Sequence, residues 1–427
     1  MFENGFCPSP WFHMRITNQG DYRFCRWLNE YQVQPTANIV NVSPLEYFQN
    51  NMAEIRKQMF RSELPAACVE CENMECHGKI SGRQRQLLKV GIQLDNFGKT
   101  MLSSPFYNEF EKTFNGNGHI ELTPQDWHID LGNFCNSACV FCVPESSSRL
   151  AVEFKKLNFI TELPKATWCD DPVLLEKFIT DLLKCKNLKF LHFLGGETII
   201  TPAFEVILKR LIEHGLNKTT TIGFTTNLTV FPEDTIELLK QFHGINLNLS
   251  VECFHSVNDY VRYPSDINLV TKNLDKWLAL GKEHNWLLTL RITPTILTIK
   301  HIWPVYEYAV NNNLNVESCN FLHHPQFMRP TVLPMPIRLT IADELEAKIK
   351  KFEFSERQVL NIRNPDYAGD AALQDAMSYV RYLREAEDEH NLIDQLVDYL
   401  KKLESNRSNT ILDYLPEYEE LFRTAGY

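Results

Sequence analysis

Strand-like and helix-like segments alternate through the centre of the chain, from residue 126 to about residue 322. The helix-like stretches between the strands lie near 173–184, 203–214, 234–243, 267–284 and 302–312. Such alternation predicts a parallel sheet with helices packed outside it, and therefore an α/β fold. Six strands are too few for a closed eight-stranded barrel. The predicted strands cover 126–131, 188–194, 219–225, 245–251, 287–293 and 315–321.

Three thiols follow the first predicted strand, at C-x3-C-x2-C spacing: Cys135, Cys139 and Cys142. Three cysteines on one short loop can bind three corners of an iron–sulfur cube, which leaves the fourth iron for a ligand that is not protein. A zinc site is the alternative, but structural zinc needs four protein ligands, usually from paired C-x2-C units. The odd number of thiols favours an iron–sulfur cluster with an open iron.

Polar residues follow the next strands, where a parallel sheet gathers its functional groups. Gly195 and Gly196 follow the second strand and would let the backbone approach a ligand closely, and Glu197 offers a hydrogen-bond acceptor. Arg262 is a candidate partner for a carboxylate because of its fork of donors, although a surface arginine is an equally good interpretation. The third and fourth strands are followed by Thr226, Asn227, Ser250 and Glu252.

The cysteine loop resembles the signature of radical S-adenosylmethionine (SAM) enzymes. The resemblance implies that the open iron of a 4Fe-4S cluster binds the amino and carboxylate groups of SAM. It further implies reductive cleavage of SAM to a 5'-deoxyadenosyl radical, which takes a hydrogen atom from the substrate. The fold that it implies is a partial (β/α)6 TIM-like barrel, in agreement with the six predicted strands. Phe141 stands where the family places an aromatic residue near the adenine.

The polar residues after the strands extend this resemblance. Gly195, Gly196 and Glu197 resemble the GGE motif that contacts the SAM amino group, with Thr198 where proline is common. Thr226 and Asn227 resemble the start of the family's Thr-Asn-Gly turn, and Leu228 occupies the glycine position. Ser250 and Glu252 fall where the family contacts the ribose and carboxylate of SAM.

Five further thiols lie ahead of the barrel: Cys7, Cys25, Cys68, Cys71 and Cys76. A turn at Gly20, between hairpin-like segments 12–17 and 22–27, would bring Cys7 and Cys25 towards one end. The C-x2-C pair of Cys68 and Cys71 then completes a four-thiolate site, which either zinc or an iron–sulfur cluster would satisfy.

The spacing of these thiols resembles the SPASM or shortened twitch module of radical SAM proteins, in the subgroup that carries it before the barrel. Residues after the C-x2-C pair extend the likeness, namely Glu75, Gly78, Ser81 and Arg83. The resemblance implies one auxiliary 4Fe-4S cluster on Cys7, Cys25, Cys68 and Cys71. Cys76 is then a free thiol, with a role as alternative ligand left open.

These features divide the chain into an auxiliary-cluster domain (1–83), a connector (84–120), a radical SAM partial barrel (121–335) and a helical C-terminal region (336–427). The last region should contain helices at 341–351 and 370–403 that cap the open side of the barrel. Isolated thiols elsewhere are expected to be buried and structural, although Cys253 follows the fourth strand and could face substrate. They are Cys169, Cys185, Cys253 and Cys319. His323 and His324 are expected in a cleft wall or loop.

Composition narrows the partners of this 427-residue chain. Its net charge of −11 provides no basic surface for nucleic acid, and no apolar run approaches the length that spans a membrane. The chain starts without a signal-peptide pattern, so we expect a soluble, cytoplasmic protein. The resemblance implies an external electron donor such as flavodoxin or ferredoxin.

The predicted function is therefore that of a radical SAM enzyme with one auxiliary cluster and an unidentified substrate. A small molecule, sugar or nucleotide is preferred, because no stretch would form the winged-helix leader-binding domain common in peptide-modifying relatives. Peptide or protein modification is the alternative. An iron–sulfur electron carrier or a zinc-stabilised scaffold is the alternative from another class, but neither explains polar residues after successive strands.

Overall fold

The structure is a computed structural model that describes residues 5–26, 28, 37–76, 81–93, 96–318, 322, 324–352 and 368–427. Gly78, Cys319 and His323 lie outside the described residues, as does the end of the strand predicted at 315–321.

A single sheet of eight strands organises the fold, in the order β2-β1-β3-β4-β5-β6-β7-β8. β1 and β2 are antiparallel, and all other neighbours are parallel. The six predicted strands are confirmed as β3 to β8, and with their helices they form the α/β partial barrel. The strands are β1 (His13–Ile16), β2 (Tyr22–Arg23), β3 (Asp126–Asp130), β4 (Phe190–Leu194), β5 (Thr221–Thr226), β6 (Gly244–Ser250), β7 (Leu287–Ile292) and β8 (Asn315–Ser318).

Seven helices precede the first barrel helix in the described part of the chain. The stretch 84–120, expected as a connector, is largely helical. The helices are α1 (Ser9–Phe12), α2 (Pro44–Glu46), α3 (Ala53–Phe60), α4 (Val69–Cys76), α5 (Gly82–Lys89), α6 (Phe97–Ser103) and α7 (Tyr107–Asn115), with a π-helical segment at Tyr47–Asn51.

The barrel helices follow the strands as predicted, to within a few residues. Gly215 ends α10 with φ +71°, a conformation that glycine adopts without strain. The helices are α8 (Ser148–Lys156), α9 (Pro172–Leu183), α10 (Pro202–Glu213), α11 (Glu233–Leu239), α12 (Val257–Val261), α13 (Ile267–His284) and α14 (Trp303–Asn311).

Alternation along the strands separates a helix-facing side from a second side, here called the lumen face. On the helix side, aromatic pairs join sheet to helices: Trp127 with Phe178, Phe193 with Phe204, and Phe224 with Trp277. The lumen face carries a group of polar side chains. It includes His128, His192, Thr225, Asn248 and Thr289. The apolar core thus lies between sheet and helices, and the lumen presents hydrogen-bonding groups.

β1 joins the barrel sheet by pairing in parallel with β3. The Nη2 atom of Arg15 on β1 lies 2.7 Å from Oδ2 of Asp130 on β3. Gly20 makes the turn into β2 with φ +81°, so the predicted hairpin is confirmed over the described residues. The amino-terminal unit therefore shares its sheet with the barrel, whereas the domain boundaries stay a prediction.

The C-terminal region contains four helices in its described part: α15 (Met335–Ile349), α16 (Ala368–Glu385), α17 (Ile393–Glu404) and α18 (Glu419–Thr424). The prediction of one helix over 370–403 is wrong, because α16 and α17 are separate. Arg338, which is 0% exposed, ends α16 by donating to the carbonyls of Leu383 and Ala386. Glu389 then pairs with Arg329, which redirects the chain before α17.

α16 covers the β8 end of the sheet. The carboxylate of Asp375 on α16 accepts hydrogen bonds of 2.7 Å from the hydroxyls of Tyr306 on α14 and Ser318 on β8. The helical region thus lies against the open edge of the barrel. Among the described residues, no helix combines the length and the apolar character that crossing a bilayer requires.

Candidate active site

The cysteine loop leaves the carboxyl end of β3 and runs into α8. Ser147 and Ser148 fix its course: the Ser147 hydroxyl donates to the Ser137 carbonyl at 2.6 Å, and the Cys135 amide donates to the Ser148 hydroxyl at 3.2 Å. Burial, together with the neighbouring thiols, raises the pKa of Cys135 and of Cys142 to about 12. The loop therefore brings three mutually interacting thiols into one partly buried place.

Within the described ranges, no three or more histidine, cysteine, aspartate or glutamate side chains converge on one point that could hold a single metal ion. A 4Fe-4S cube distributes its thiolate ligands over separate irons. Three thiols on one loop are the number that such a cube takes from protein when its fourth iron is left open.

The two glycines after β4 bring their backbone against the cysteine loop. A Cβ on Gly195 would lie 2.4 Å from the carbonyl oxygen of Gly132, and one on Gly196 would lie 2.2 Å from that of Phe134. The Gly196 amide donates to Gly132, and the Glu197 amide donates to Phe134. We expected the backbone at Gly195 and Gly196 to approach a ligand closely. In the structure this backbone instead lies close to the cysteine loop.

Glu197 is 2% exposed and lies at the centre of this contact. Its Oε2 accepts a hydrogen bond of 2.7 Å from the Asn227 amide, whereas its buried Oε1 accepts no well-formed hydrogen bond from the described residues. Burial raises the pKa of Glu197 to about 7, against the opposing effect of Asn227 and the Thr226 hydroxyl. A buried carboxylate oxygen that accepts no well-formed hydrogen bond from the described part of the chain could accept one from the ammonium group of SAM.

Asn227 ties the end of β5 to the cysteine loop. Its Nδ2 donates to Oδ1 of Asn136 at 2.8 Å and to the Ser137 hydroxyl at 3.1 Å. Leu228 has φ +64°, the left-handed conformation for which the family's glycine is suited. Asn273 holds the Leu228 carbonyl with a 2.8 Å hydrogen bond. Leu228 therefore adopts a turn conformation that glycine would adopt without strain.

Glu252 and Arg262 form a buried ion pair beside the loop, with side chains 0% and 11% exposed. Burial raises the pKa of Glu252, and Arg262 opposes the shift. The guanidinium carbon of Arg262 lies 5.7 Å from the ring centroid of Phe141. Arg262 is therefore not a surface arginine, and its carboxylate partner in the chain is Glu252. Ser250, at the end of β6, is 5% exposed.

The predicted auxiliary thiols line one pocket. Cys7, Cys25, Cys68 and Cys71 surround it together with Arg83, and its empty volume is about 340 Å³ including the space open to solvent. Burial, followed by the nearby Cys25, raises the pKa of Cys7 to about 12. The exposed Cys76 is not among the lining residues. The four thiols thus line one pocket, and their role as a shared ligand set stays a prediction.

Glu75 secures the wall of this pocket. Its carboxylate accepts hydrogen bonds from the Arg83 side chain and the Ser81 hydroxyl. Arg83 also donates to the Phe6 carbonyl at 3.1 Å. Ser81 caps α5 in a capping box with Gln84.

The isolated thiols that the structure describes are buried, as expected of structural cysteines: Cys169, Cys185 and Cys253. Cys253 is 0% exposed, and burial raises its pKa. His324 is exposed.

Two contacts to the cysteine loop were missed by the sequence analysis. The Tyr399 hydroxyl donates to the Val140 carbonyl at 2.7 Å, and Nη2 of Arg407 donates to the Ala138 carbonyl at 2.8 Å. These partners are 259 and 269 residues apart, and no local pattern signals such a pairing.

Residues 129–309 match the family model of the radical SAM superfamily. Among solved structures, the chain is similar to SuiB of Streptococcus suis bound to the precursor peptide SuiA, with 15% identity, a TM-score of 0.35, and coverage of 69% of this chain and 62% of that one. It is also similar to anSMEcpe with bound AdoMet, with 16% identity, a TM-score of 0.37, and coverage of 52% and 60%.

Both alignments cover about three-fifths of the length of the solved structure. No curated protein sequence matches the chain significantly.

Proposed function

We propose that this chain is a radical SAM enzyme, on the basis of the domain matched at residues 129–309. It would hold its 4Fe-4S cluster on Cys135, Cys139 and Cys142. The observation that carries the proposal is the junction of two loops. The thiol loop lies against the Gly195-Gly196 backbone, beside a buried Glu197 whose Oε1 lacks a well-formed hydrogen bond within the described chain. An iron–sulfur electron carrier has no need of such an acceptor.

When bound, the cluster and SAM supply a one-electron cleavage of SAM to methionine and a 5'-deoxyadenosyl radical, which takes a hydrogen atom from the substrate. The chain's own residues bind and orient SAM. Glu197 would accept a hydrogen bond from the SAM ammonium group, a charge-assisted contact. Phe141 would pack near the adenine and is held on one side by Arg262, whose own position is fixed by Glu252.

Thr226, Asn227 and Ser250 complete the proposed SAM site. Their side chains are at most 8% exposed and lie at the carboxyl ends of β5 and β6. Asn227 acts mainly by fixing the cysteine loop through Asn136 and Ser137. Burial of these groups would exclude water from the reacting atoms.

The substrate that the lumen face supports best is a small polar molecule, such as a sugar or nucleotide. Nδ2 of Asn248 lies 3.4 Å from the Thr225 hydroxyl, and Thr289 is paired in register with Asn248. Two charged pairs lie near the carboxyl ends of neighbouring strands: Arg15 on β1 with Asp130 on β3, and Arg291 on β7 with Glu317 on β8. Such a surface would hydrogen-bond hydroxyl, amide or carboxylate groups.

An external electron donor, such as a flavodoxin or ferredoxin, would reduce the cluster. One auxiliary 4Fe-4S cluster on Cys7, Cys25, Cys68 and Cys71 is part of the proposal, supported by the pocket that these thiols line.

Anaerobic reconstitution with iron and sulfide, followed by dithionite and SAM, tests the function. We expect 5'-deoxyadenosine by chromatography from the wild-type chain and none from Cys142→Ala. A cluster-loaded wild-type chain that releases no 5'-deoxyadenosine would contradict the proposal. Mass spectrometry of small molecules that co-purify with the chain would then identify the substrate class.

A further inference from the structure

The middle of the cysteine loop is held from two sides. On one side, the amides of Ala138 and Val140 donate to the carbonyls of Tyr263 and Val261. On the other side, their carbonyls accept hydrogen bonds from Arg407 and Tyr399 of the C-terminal region. Every backbone polar group of these two residues therefore has a partner, which fixes the peptide segment between Cys135 and Cys142.

The C-terminal side of this arrangement is built from buried groups. The Arg407 side chain is 1% exposed, and its Nε and Nη2 bind Glu153 of α8 at 2.9 and 2.6 Å. Its guanidinium carbon lies 4.5 Å from the ring centroid of Tyr263. Such a fork-to-carboxylate pair has a defined geometry and loses little to screening.

Tyr399 is fixed by aromatic neighbours from two parts of the barrel. Its ring centroid lies 5.4 Å from that of Phe159, which follows α8, and 5.1 Å from that of Phe327, which follows β8. The hydroxyl that binds Val140 thus belongs to a ring that packs between the segments after β3 and after β8.

We propose that Tyr399 and Arg407 are positioning residues of the cysteine loop and that the buried charge of Arg407 makes the cluster there easier to reduce. The inference rests on the proposed function. An electron from the external donor adds one negative charge beside this loop. Arg407 donates to the carbonyl of Ala138, the residue before Cys139, so its cation stabilises that charge. The low-dielectric interior strengthens this attraction, and the paired carboxylate of Glu153 offsets part of it.

Substitutions can separate the effect of the Arg407 charge from the effect of the hydrogen bonds that Arg407 and Tyr399 donate to the cysteine loop. Arg407→Gln removes the positive charge and leaves Glu153 without its ion-pair partner, although Asn406 still donates to Glu153. Glu153→Gln removes the negative charge and leaves Arg407 in place. Tyr399→Phe removes one hydrogen bond without changing charge. Arg423→Gln is the matched control, because Arg423 pairs with Glu419 in an exposed position, with side chains 61% and 52% exposed.

The midpoint potential of the SAM-binding cluster is measured in the reconstituted full chain by redox titration, following the electron paramagnetic resonance signal that changes when SAM is added. We expect a more negative potential for Arg407→Gln and a less negative one for Glu153→Gln. Tyr399→Phe and Arg423→Gln should keep the wild-type potential.

Iron loss to a chelator is the second measurement. Arg407→Gln and Tyr399→Phe should lose the SAM-binding cluster several-fold faster than wild type, and Arg423→Gln should not. A wild-type potential in Arg407→Gln, or a wild-type rate of iron loss in both loop variants, would overturn the inference. If Arg407→Gln does not fold, a wild-type potential in Glu153→Gln overturns it equally.

The wild-type chain separates the two proposals. Failure of the wild-type chain to cleave SAM would contradict the proposed function. Wild-type cleavage together with unaltered variants would contradict only the roles of Arg407 and Tyr399.

Discussion

The Oε2 atom of the Glu197 carboxylate accepts a 2.7 Å hydrogen bond from the backbone amide of Asn227. The loops after β4 and β5 are joined by this bond. Because the Oε1 atom of Glu197 is buried without a well-formed hydrogen bond from the described residues, the same side chain can hold its own loop and a ligand together.

Glu197→Gln should weaken SAM binding without loss of cluster iron. Glutamine keeps an oxygen for the Asn227 amide but loses the charge-assisted bond to an ammonium, worth about 1.5–3 kcal/mol, or about 10- to 100-fold in affinity. Anaerobic titration with SAM measures the effect. The exposed Glu176, paired with Arg210, provides the control Glu176→Gln. Equal SAM affinity in Glu197→Gln and wild type would show that Glu197 serves only the turn.

Replacing Cys135, Cys139 and Cys142 together by alanine should abolish SAM cleavage and leave the auxiliary cluster in place. Iron should fall from about eight to about four per chain if both clusters are cubanes. Iron analysis and 5'-deoxyadenosine chromatography test this directly. Unchanged cleavage in the triple variant would refute the assignment of the loop.

Gly196→Ala should separate the two loops at the active site. The added Cβ would lie 2.2 Å from the Phe134 carbonyl oxygen, so the backbone must move. We expect slower SAM cleavage and a lower melting temperature. Gly98→Ala is the matched control, because a Cβ on Gly98 meets nothing within 4 Å. Equal rates of SAM cleavage and equal melting temperatures in the two variants would show that the close contact between the loops does not affect function.

Cys71→Ala and Cys76→Ala should have opposite outcomes. Cys71 lines the auxiliary pocket and Cys76 does not. Cys71→Ala should lose about four irons and weaken the fold of the first unit, because metal binding would contribute to its stability. Cys76→Ala should keep full iron and turnover. The reverse pattern would mean that the later thiol closes the site.

Asp375 should make stability depend on pH. Burial raises its pKa from 3.8 to about 6, although the Tyr306 and Ser318 hydroxyls oppose the shift. The folded state therefore binds this proton more tightly than the unfolded state. Its contribution to stability is full below pH 3.8 and is lost as pH rises through about 6.

Asp375→Asn should remove this loss, which amounts to about 3 kcal/mol. The free energy of unfolding in urea, measured for both proteins at pH 4.5 and pH 7, checks it. The free energy of unfolding of the variant should rise relative to that of wild type as the pH is raised from 4.5 to 7. A constant difference between the two proteins would contradict the proposed titration.

The barrel could be predicted from sequence because each β/α unit carries its own pattern. Helix α10, for example, has an apolar stripe and a terminal glycine within fourteen residues, from Pro202 to Gly215. The break between α16 and α17 could not be predicted from sequence, because it depends on a hydrogen bond from Arg338 on α15 to the chain after α16. The sequence around Glu389 likewise gives no indication of its partners Arg329 and Thr331.

The candidate site was predictable where residues act through local spacing and not where they act at long range. Cys135, Cys139 and Cys142 lie on one loop, so their proximity follows from sequence. The contact between Gly196 and Phe134 depends on how two strands align, and the bonds from Tyr399 and Arg407 span most of the chain.

The parallel pairing of β1 with β3 has a consequence for any attempt to study the barrel alone. A fragment that starts after residue 83 would leave the backbone groups of residues 126–129 that face β1 without their strand partner. It would also leave Asp130 without the guanidinium of Arg15. An uncovered strand of this kind is a template for intermolecular association, so such a truncation should aggregate rather than yield an isolated catalytic domain.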